Sequence, residues 1–179
     1  TDTPFTGWLL AEAFRDAGLP PGVFNFVTGG GRSVGQTLVD HPDVAGITFT
    51  GSYDVGMGII RSFTSGKYPR PCVAEMGGKN PVIVSNKADL DKAALGCMRS
   101  AFGLQGQKCS ALSRLYVHRD VKDAFMRKFL DLTAKINVGD PTDQNNWMGP
   151  VINKSAKEDY LGFVEDLRAH GDIVFGGQA

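Results

Sequence analysis

Residues 44–75, VAGITFTGSYDVGMGIIRSFTSGKYPRPCVAE, decide the fold class. The apolar run at 44–49 predicts a strand that ends at Thr50-Gly51-Ser52, and residues 53–63 have helical spacing. A second strand is predicted at 71–75. Strands separated by helices of this length favour right-handed parallel βαβ units. This stretch therefore indicates an α/β fold built on parallel strands.

The same alternation extends in both directions along the chain. Helices are predicted where apolar residues recur at helical spacing, at residues 5–17, 33–39, 90–102, 121–136 and 156–169. Strands are predicted where β-branched and aromatic residues cluster, at residues 23–27, 81–84, 114–117 and 173–175. The flexible sequence Gly77-Gly78-Lys79 predicts a domain boundary after residue 77. Because the first and last predicted strands would be unpaired edges, we expect further chain on both sides.

Composition and charge indicate which kind of molecule this protein binds. The chain has 179 residues, 42% of them hydrophobic, with 19 basic and 19 acidic side chains that give no formal net charge. This balance argues against a nucleic-acid partner or a membrane surface and favours a small molecule. No apolar run approaches the roughly 18 residues of a membrane span, and the N-terminus lacks a signal-peptide pattern. Three scattered cysteines and three scattered histidines suit neither a disulfide framework nor a metal site, so no metal is predicted.

Two glycine-rich turns are candidates for phosphate binding. The turn that begins at Gly29 lacks the third glycine of the dinucleotide fingerprint, because Val34 stands in its place. The turn from Gly51 to Gly56 lacks the Lys and Ser or Thr of a P-loop. Backbone N–H groups at the start of the following helix, with the Ser52 hydroxyl, could still bind a pyrophosphate. The alternative is that Gly51 only makes a tight turn.

Glu75 and Cys109 are the candidate reactive groups. Glu75 is placed at the C-terminal end of a strand beside two glycines, where α/β folds keep catalytic groups, and partial burial there would let it act as a base near neutral pH. Cys109 follows Lys108 on a turn of small residues, where positive charge favours a reactive thiolate. Each also has an ordinary alternative, a surface glutamate and an inert cysteine, and the other two cysteines are assigned to the inert class.

Taken together, the motifs resemble one family. Their order is Phe49-Thr50-Gly51-Ser52 with Gly56, then Glu75-Met76-Gly77-Gly78-Lys79-Asn80-Pro81, then Gly106-Gln107-Lys108-Cys109. This order strongly resembles the aldehyde dehydrogenase superfamily over essentially the whole chain. The variant Cys109-Ser110-Ala111 looks most like the branch that oxidises glutamate γ-semialdehyde, the open form of 1-pyrroline-5-carboxylate, in proline breakdown.

The resemblance implies a role for each matched residue. Cys109 would be the nucleophile, Glu75 the base that activates water, and Ser110 a ligand of the substrate carboxylate. Gly51, Ser52, Gly56, Met76 and Gly77 would bind NAD, with NADP not excluded because ribose recognition falls outside these residues. Residues 1–77 would be the C-terminal part of an NAD(P)-binding Rossmann-type domain, and 78–179 the N-terminal part of an α/β catalytic domain.

The resemblance also carries expectations about the whole protein. We expect a homo-oligomer when full length, a cytoplasmic location (the mitochondrial matrix in a eukaryote) and little activity in the 179-residue piece alone. Three alternatives remain: an aldehyde dehydrogenase for another substrate such as succinate semialdehyde or betaine aldehyde, a non-catalytic relative of the same fold, and a cysteine hydrolase. The last lacks an obvious partner base, because none of the three histidines lies within the cysteine or glutamate motif.

Overall fold

The structure is a computed structural model that describes residues 2–178. The chain divides into two compact units, Thr1–Met76 and Gly77–Ala179, so the division lies at the start of the Gly77-Gly78 pair. Each unit contains one pair of parallel strands. The α/β class predicted from the sequence is confirmed. The assignment of cofactor binding to the first unit and catalysis to the second stays a prediction.

The first unit is built on a βαβ motif. Strand β1 (Ile47–Gly51) pairs in parallel with β2 (Cys72–Met76), and helix α3 (Tyr53–Thr64) connects them. Ahead of this motif lie helix α1 (Pro4–Asp16), a π-helical turn (Gly31–Gly35) and the short helix α2 (Gln36–Asp40). The core is formed by apolar side chains from α2, α3 and both strands: Val39, Ile59 and Phe63, with Val44, Ile47, Phe49 and Cys72 packed against them.

Arg70 ties the loop before β2 to this core. Its guanidinium donates hydrogen bonds to the backbone carbonyls of Val39, His41 and Val44 at 2.9 to 3.0 Å. The same group lies 3.8 Å from the centroid of the Phe63 ring. Because the planar guanidinium offers five N–H donors, one side chain satisfies carbonyls at the end of α2 and in the loop that follows it, and also lies over an aromatic ring. Arg70 thereby anchors the loop before β2 to α2 and α3.

The second unit repeats the βαβ motif and adds two helices. Strand β3 (Asn80–Val84) pairs in parallel with β4 (Leu112–Val117), and helix α4 (Leu90–Phe102) connects them. Helices α5 (Lys122–Thr133) and α6 (Lys154–His170) follow. The core consists of Val84, Ala94, Cys97 and Phe125, and α4 packs against α5.

The start of α4 is defined by its capping residue. The Asp89 carboxylate accepts hydrogen bonds from the backbone N–H groups of Asp91 at 3.1 Å and Lys92 at 3.2 Å. The bond from the Lys92 backbone is the main reason that the pKa of Asp89 lies below its usual value. Because both N–H groups belong to the first turn, they would otherwise lack partners within the helix. The predicted start of this helix at residue 90 is confirmed.

Two predicted strands are wrong. Residues 23–27 and 173–175 are not in strands, and neither segment pairs with another strand among residues 2–178. β-branched and aromatic residues give a segment strand propensity, but a strand also needs a neighbour for its backbone hydrogen bonds. Phe24 packs instead against α1, where its ring centroid lies 4.8 Å from that of Phe14. None of the helices formed by residues 2–178 combines the length and apolar composition that a bilayer crossing requires.

Phe125 provides a test of the second core, the core of the second unit. Its side chain is fully buried between α4, α5 and the β3–β4 pair. Phe125→Ala is expected to lower the free energy of unfolding by roughly 3–5 kcal/mol, because it removes buried apolar surface and leaves a cavity. Urea unfolding followed by circular dichroism measures this loss. The matched control is Phe163→Ala in α6, where the ring is 69% exposed, and an equal loss in both variants would contradict the assigned core.

Candidate active site

The first group of predicted site residues meets at one edge of the β1–β2 pair. The parallel register aligns Thr50 with Glu75 and Gly51 with Met76, so both strands end side by side. Ser52 follows directly and caps α3. Glu75 is exposed, which agrees with the alternative of a surface glutamate, and its role as a base stays a prediction. Its carboxylate is open to water at the C-terminal end of a parallel strand.

The start of α3 suits a phosphate group. The Ser52 hydroxyl accepts a hydrogen bond from the Val55 N–H at 3.5 Å, and the Gly56 N–H donates to the Ser52 carbonyl at 3.0 Å. The remaining first-turn N–H groups point out of the helix end, where the helix dipole favours an anion. Gly51 and Ser52 are exposed, so a ligand can approach the backbone there. These features fit the pyrophosphate of a dinucleotide.

Gly56 and Met76 pack against each other. A Cβ atom built on Gly56 would lie 2.6 Å from the Met76 sulfur and 2.9 Å from its Cγ, closer than real contacts allow. One carbon of the Phe49 ring lies 3.4 Å from the same position. Gly56 is buried, so its absent side chain makes room for Met76 at the end of β2. Its structural role in this unit is therefore close packing between α3 and β2.

The second group is formed by the turn that carries Cys109. The Ala111 N–H donates to the Lys108 carbonyl at 3.1 Å, which closes a four-residue turn with Cys109 and Ser110 at its centre. Both central residues are exposed. The preceding residues Leu104 and Gln105 have positive φ angles of 51° and 60°, a strained conformation for side chains other than glycine. The segment between α4 and β4 therefore has a specific, non-regular shape.

Asn80 connects this turn to β3. Its side-chain nitrogen donates to the carbonyl of Cys109 at 2.6 Å and to that of Ala111 at 3.2 Å. Gly78 lies beside this contact, since a Cβ atom there would be 3.2 Å from the Asn80 oxygen and 3.6 Å from the Cys109 carbonyl oxygen. The glycine next to the domain division thus allows the backbone to approach the cysteine turn.

Gln105 connects the segment between α4 and β4 to the loop that precedes α6. Its side-chain nitrogen donates to the carbonyls of Gly149 at 2.5 Å and Pro150 at 2.9 Å. These residues border an open groove of about 730 Å³ that Trp147 and Ile152 also line. The sequence interpretation assigned no role to Asn80 or Gln105. The sequence does contain a signal for Asn80, which is its position at the start of a predicted strand. In a parallel pair, the start of one strand lies beside the residues that precede the other strand, here β4.

The three cysteines differ in environment. Cys97 is buried in the second core, and this burial raises the pKa of its thiol. Cys72 is partly buried in β2, whereas Cys109 is exposed on its turn. Since the thiolate is the reactive form and needs access to its target, Cys109 is the candidate nucleophile of the three. Within residues 2–178, no three His, Cys, Asp or Glu side chains are grouped as metal ligands.

Comparison with known proteins decides the family. The model described as "Aldehyde dehydrogenase family" matches residues 1–179. The chain belongs to the aldehyde dehydrogenase family. It is 44% identical to 1-pyrroline-5-carboxylate dehydrogenase 1 of Halalkalibacterium halodurans over 98% of this chain and 35% of that protein. The 1-pyrroline-5-carboxylate dehydrogenase of Geobacillus thermodenitrificans is 41% identical, again over 98% and 35%. This aldehyde dehydrogenase chain therefore spans about a third of the length of these curated relatives.

Solved structures agree with this aldehyde dehydrogenase assignment. The crystal structure of 1-pyrroline-5-carboxylate dehydrogenase from Thermus with bound NAD has a TM-score of 0.91 at 37% identity, over 98% of this chain and 34% of that one. An NAD-dependent aldehyde dehydrogenase from Sinorhizobium meliloti has a TM-score of 0.93 at 37% identity, over 98% and 35%. The predicted family and fold are confirmed.

The structure brings the predicted residues of this aldehyde dehydrogenase chain together in two groups. Gly51, Ser52, Gly56, Glu75 and Met76 lie in the first unit, around the ends of β1 and β2 and the first turns of α3. Cys109 and Ser110 share one turn in the second unit, which also contains Gly77. The roles given to these residues stay predictions.

The packing of Gly56 gives one prediction. Gly56→Ala is expected to lower the free energy of unfolding by about 1–3 kcal/mol, because the new methyl group overlaps Met76. Gly58 lies in the same helix with open space at its Cβ position, so Gly58→Ala is the matched control and should raise stability by about 0.5–1 kcal/mol. Thermal unfolding measures both changes. Equal effects of the two substitutions would contradict the packing described.

Thiol accessibility gives another prediction. Iodoacetamide at neutral pH should label Cys109 at least about tenfold faster than Cys97, because only Cys109 is exposed and burial disfavours the Cys97 thiolate. Because the pKa of Cys97 is raised, its thiolate forms only at a higher pH than that of an ordinary cysteine, and its labelling should increase there. Peptide mass spectrometry gives the rate at each site. Faster labelling of Cys97 at neutral pH would show that the assignment is wrong.

Proposed function

We propose that the full-length protein oxidises glutamate γ-semialdehyde to glutamate, with NAD as hydride acceptor and a thioester on Cys109 as intermediate. The observation that carries the proposal is an exposed cysteine at the centre of a hydrogen-bonded turn. Support for the substrate comes from the relatives named 1-pyrroline-5-carboxylate dehydrogenase, at 40–44% identity. Glutamate γ-semialdehyde is the open form of that compound, and it carries the aldehyde on which a thiolate can act.

Cofactor binding is assigned to the end of the β1–β2 pair. The exposed N-terminus of α3, with Gly51 and Ser52, would hold the pyrophosphate, and Met76 and Gly77 would lie along the nicotinamide. Gly56 supports this arrangement by giving Met76 its place. NAD supplies an acceptor for the hydride that leaves the substrate carbon. The choice of NAD rests on the Thermus relative, whose structure contains it.

Cys109 carries the covalent chemistry in this proposal. Its thiolate attacks the aldehyde carbon, a C–S bond forms, and the carbonyl oxygen becomes an oxyanion. The Lys108 carbonyl accepts a bond inside the turn, and in a trans peptide the Cys109 N–H points the opposite way. This N–H has no acceptor among residues 2–178, so it is available to stabilise the oxyanion. Collapse of the oxyanion with loss of hydride gives the thioester.

Glu75 is proposed to complete the cycle. Its exposed carboxylate takes a proton from water, whose oxygen attacks the thioester carbon as the hydroxide equivalent. The C–S bond then breaks, the substrate leaves as a carboxylate, and Cys109 returns to its thiolate. The net change is oxidation of the aldehyde by two electrons, which leave as hydride in the earlier step. Water supplies the second carboxylate oxygen.

Ser110 is proposed to select substrates that carry a carboxylate. Its hydroxyl is exposed on the same turn as Cys109, one residue further along, so it can donate to a substrate held at the thiol. The other partners that we propose are those of the family resemblance: a small aldehyde, a second copy of the full-length chain, and no nucleic acid or membrane. A cytoplasmic location, or the mitochondrial matrix in a eukaryote, belongs to the same proposal.

Substrate preference tests the proposed function. The full-length protein should form NADH with glutamate γ-semialdehyde at a higher kcat/KM than with succinate semialdehyde, betaine aldehyde or simple aliphatic aldehydes. Cys109→Ala should abolish this activity, because it removes the thiol that forms the proposed thioester. A higher kcat/KM with another aldehyde would shift the proposal to that substrate. Full activity of Cys109→Ala would refute the thioester route.

The role of Ser110 has its own test. Ser110→Ala should raise KM for glutamate γ-semialdehyde by about tenfold, since a hydrogen bond to a charged group contributes roughly 1.5–3 kcal/mol. KM for an aliphatic aldehyde without a carboxylate should stay the same. Ser113→Ala, an equally small change at an exposed serine in β4, is the matched control. An equal rise in KM for both classes of aldehyde would contradict carboxylate recognition by Ser110.

A further inference from the structure

We propose that Asn80 is a positioning residue that fixes the orientation of Cys109 through the backbone of the cysteine turn, residues 108–111. This inference rests on the proposed function of Cys109 as nucleophile. It concerns a residue at the start of β3, 29 positions before Cys109 in the sequence, whose side chain donates to the backbone of the turn.

The first argument is the geometry of a single amide nitrogen. Asn80 Nδ2 lies 2.6 Å from the Cys109 carbonyl oxygen and 3.2 Å from the Ala111 carbonyl oxygen. An asparagine amide nitrogen carries two N–H donors, so both acceptors are served at once. The opposite orientation of the amide would place its oxygen against two carbonyl oxygens, which is repulsive. The contact therefore requires a donor at this position.

The second argument concerns the peptide planes on either side of Cys109. The plane that precedes it is held by the Ala111 N–H, which donates to the Lys108 carbonyl at 3.1 Å. The plane that follows it contains the Cys109 carbonyl, which is held by Asn80. Because each peptide is planar, fixing both planes fixes the backbone dihedrals of Cys109 and the direction of its Cβ. Asn80 therefore fixes the peptide plane after Cys109, which the hydrogen bond within the turn does not hold.

The third argument is the irregular start of the β3–β4 pair. The register shifts between Asn80 and Pro81, and Pro81 has no N–H to donate to a neighbouring strand. On the other strand the Leu112 N–H donates to the Ser100 hydroxyl at 3.2 Å. Side chains thus replace backbone hydrogen bonds at this end of the ladder, and Asn80 is the one that reaches the cysteine turn. Because the ladder is irregular here, the Asn80 side chain is free to bind the backbone of the turn that carries Cys109.

Asn80 is only partly buried and lies outside the second core, which is formed by Val84, Ala94, Cys97 and Phe125. Loss of its hydrogen bonds should therefore alter the turn more than the stability of the unit. Nucleophile placement is sensitive to small displacements, since a shift of about 1 Å costs on the order of a hundredfold in rate. A positioning residue predicts a fall in kcat without a matching fall in stability or cofactor affinity.

The test uses the full-length protein with two substitutions. Asn80→Asp keeps the shape and replaces the donor by an acceptor, and Asn80→Ala removes the donor without adding charge. Both should lower kcat about tenfold or more, with KM for NAD unchanged. The matched control is Asn137→Asp, because the Asn137 side chain also donates to a backbone carbonyl, that of Asn145 at 3.3 Å, away from the cysteine turn. This control should keep kcat and KM.

A measurement without aldehyde or NAD separates this inference from the proposed function. The iodoacetamide rate at Cys109 should fall at least about threefold in both Asn80 variants, with the rate at Cys97 as internal reference. If the unaltered protein oxidised no aldehyde, this fall would still support the positioning role while the proposed function failed. Unchanged labelling of Cys109, or a loss of kcat matched by a loss of thermal stability and faster labelling of Cys97, would overturn the inference.

Discussion

Parallel pairing of two strands is the constraint on which both units depend. Parallel strands need a crossover, so in each unit a helix connects the two strands, and the strand ends line up along one edge. In the first unit the C-terminal edge gathers Gly51, Glu75 and Met76 beside the start of α3. In the second unit the candidate residues lie at the N-terminal edge instead, where the start of β3 is beside the residues that precede β4. Asn80 and Cys109 meet for that reason.

The helices could be predicted closely, because their signals are local. The start of α4 follows from the Asp89 cap, and α3 begins after the Ser52 cap. Strand pairing is not local, which explains why residues 23–27 and 173–175 were predicted as strands although they have no paired neighbour in residues 2–178. Propensity describes a residue's preference, whereas a strand also needs a partner for its backbone.

The candidate site shows the same limit. Cys109 and Glu75 stand in recognisable motifs, so their chemistry could be predicted from residue type and order. The hydrogen bonds from Asn80 to the cysteine turn could not be predicted, because they depend on a register shift and on the direction of one amide group. Gly56 was assigned to the cofactor from its motif, and the structure adds its close contact with Met76. Motifs identify reactive groups, while packing decides how those groups are held.

The central claim is that Cys109 traps an acyl group which Glu75 helps to release. Mass spectrometry of the full-length Glu75→Gln variant, incubated with glutamate γ-semialdehyde and NAD, tests this claim most directly. A glutamyl thioester should accumulate on the peptide that contains Cys109, with about one equivalent of NADH formed, because hydride transfer proceeds and hydrolysis stops. Continued turnover without an adduct, or an adduct on Cys72 or Cys97, would contradict the account.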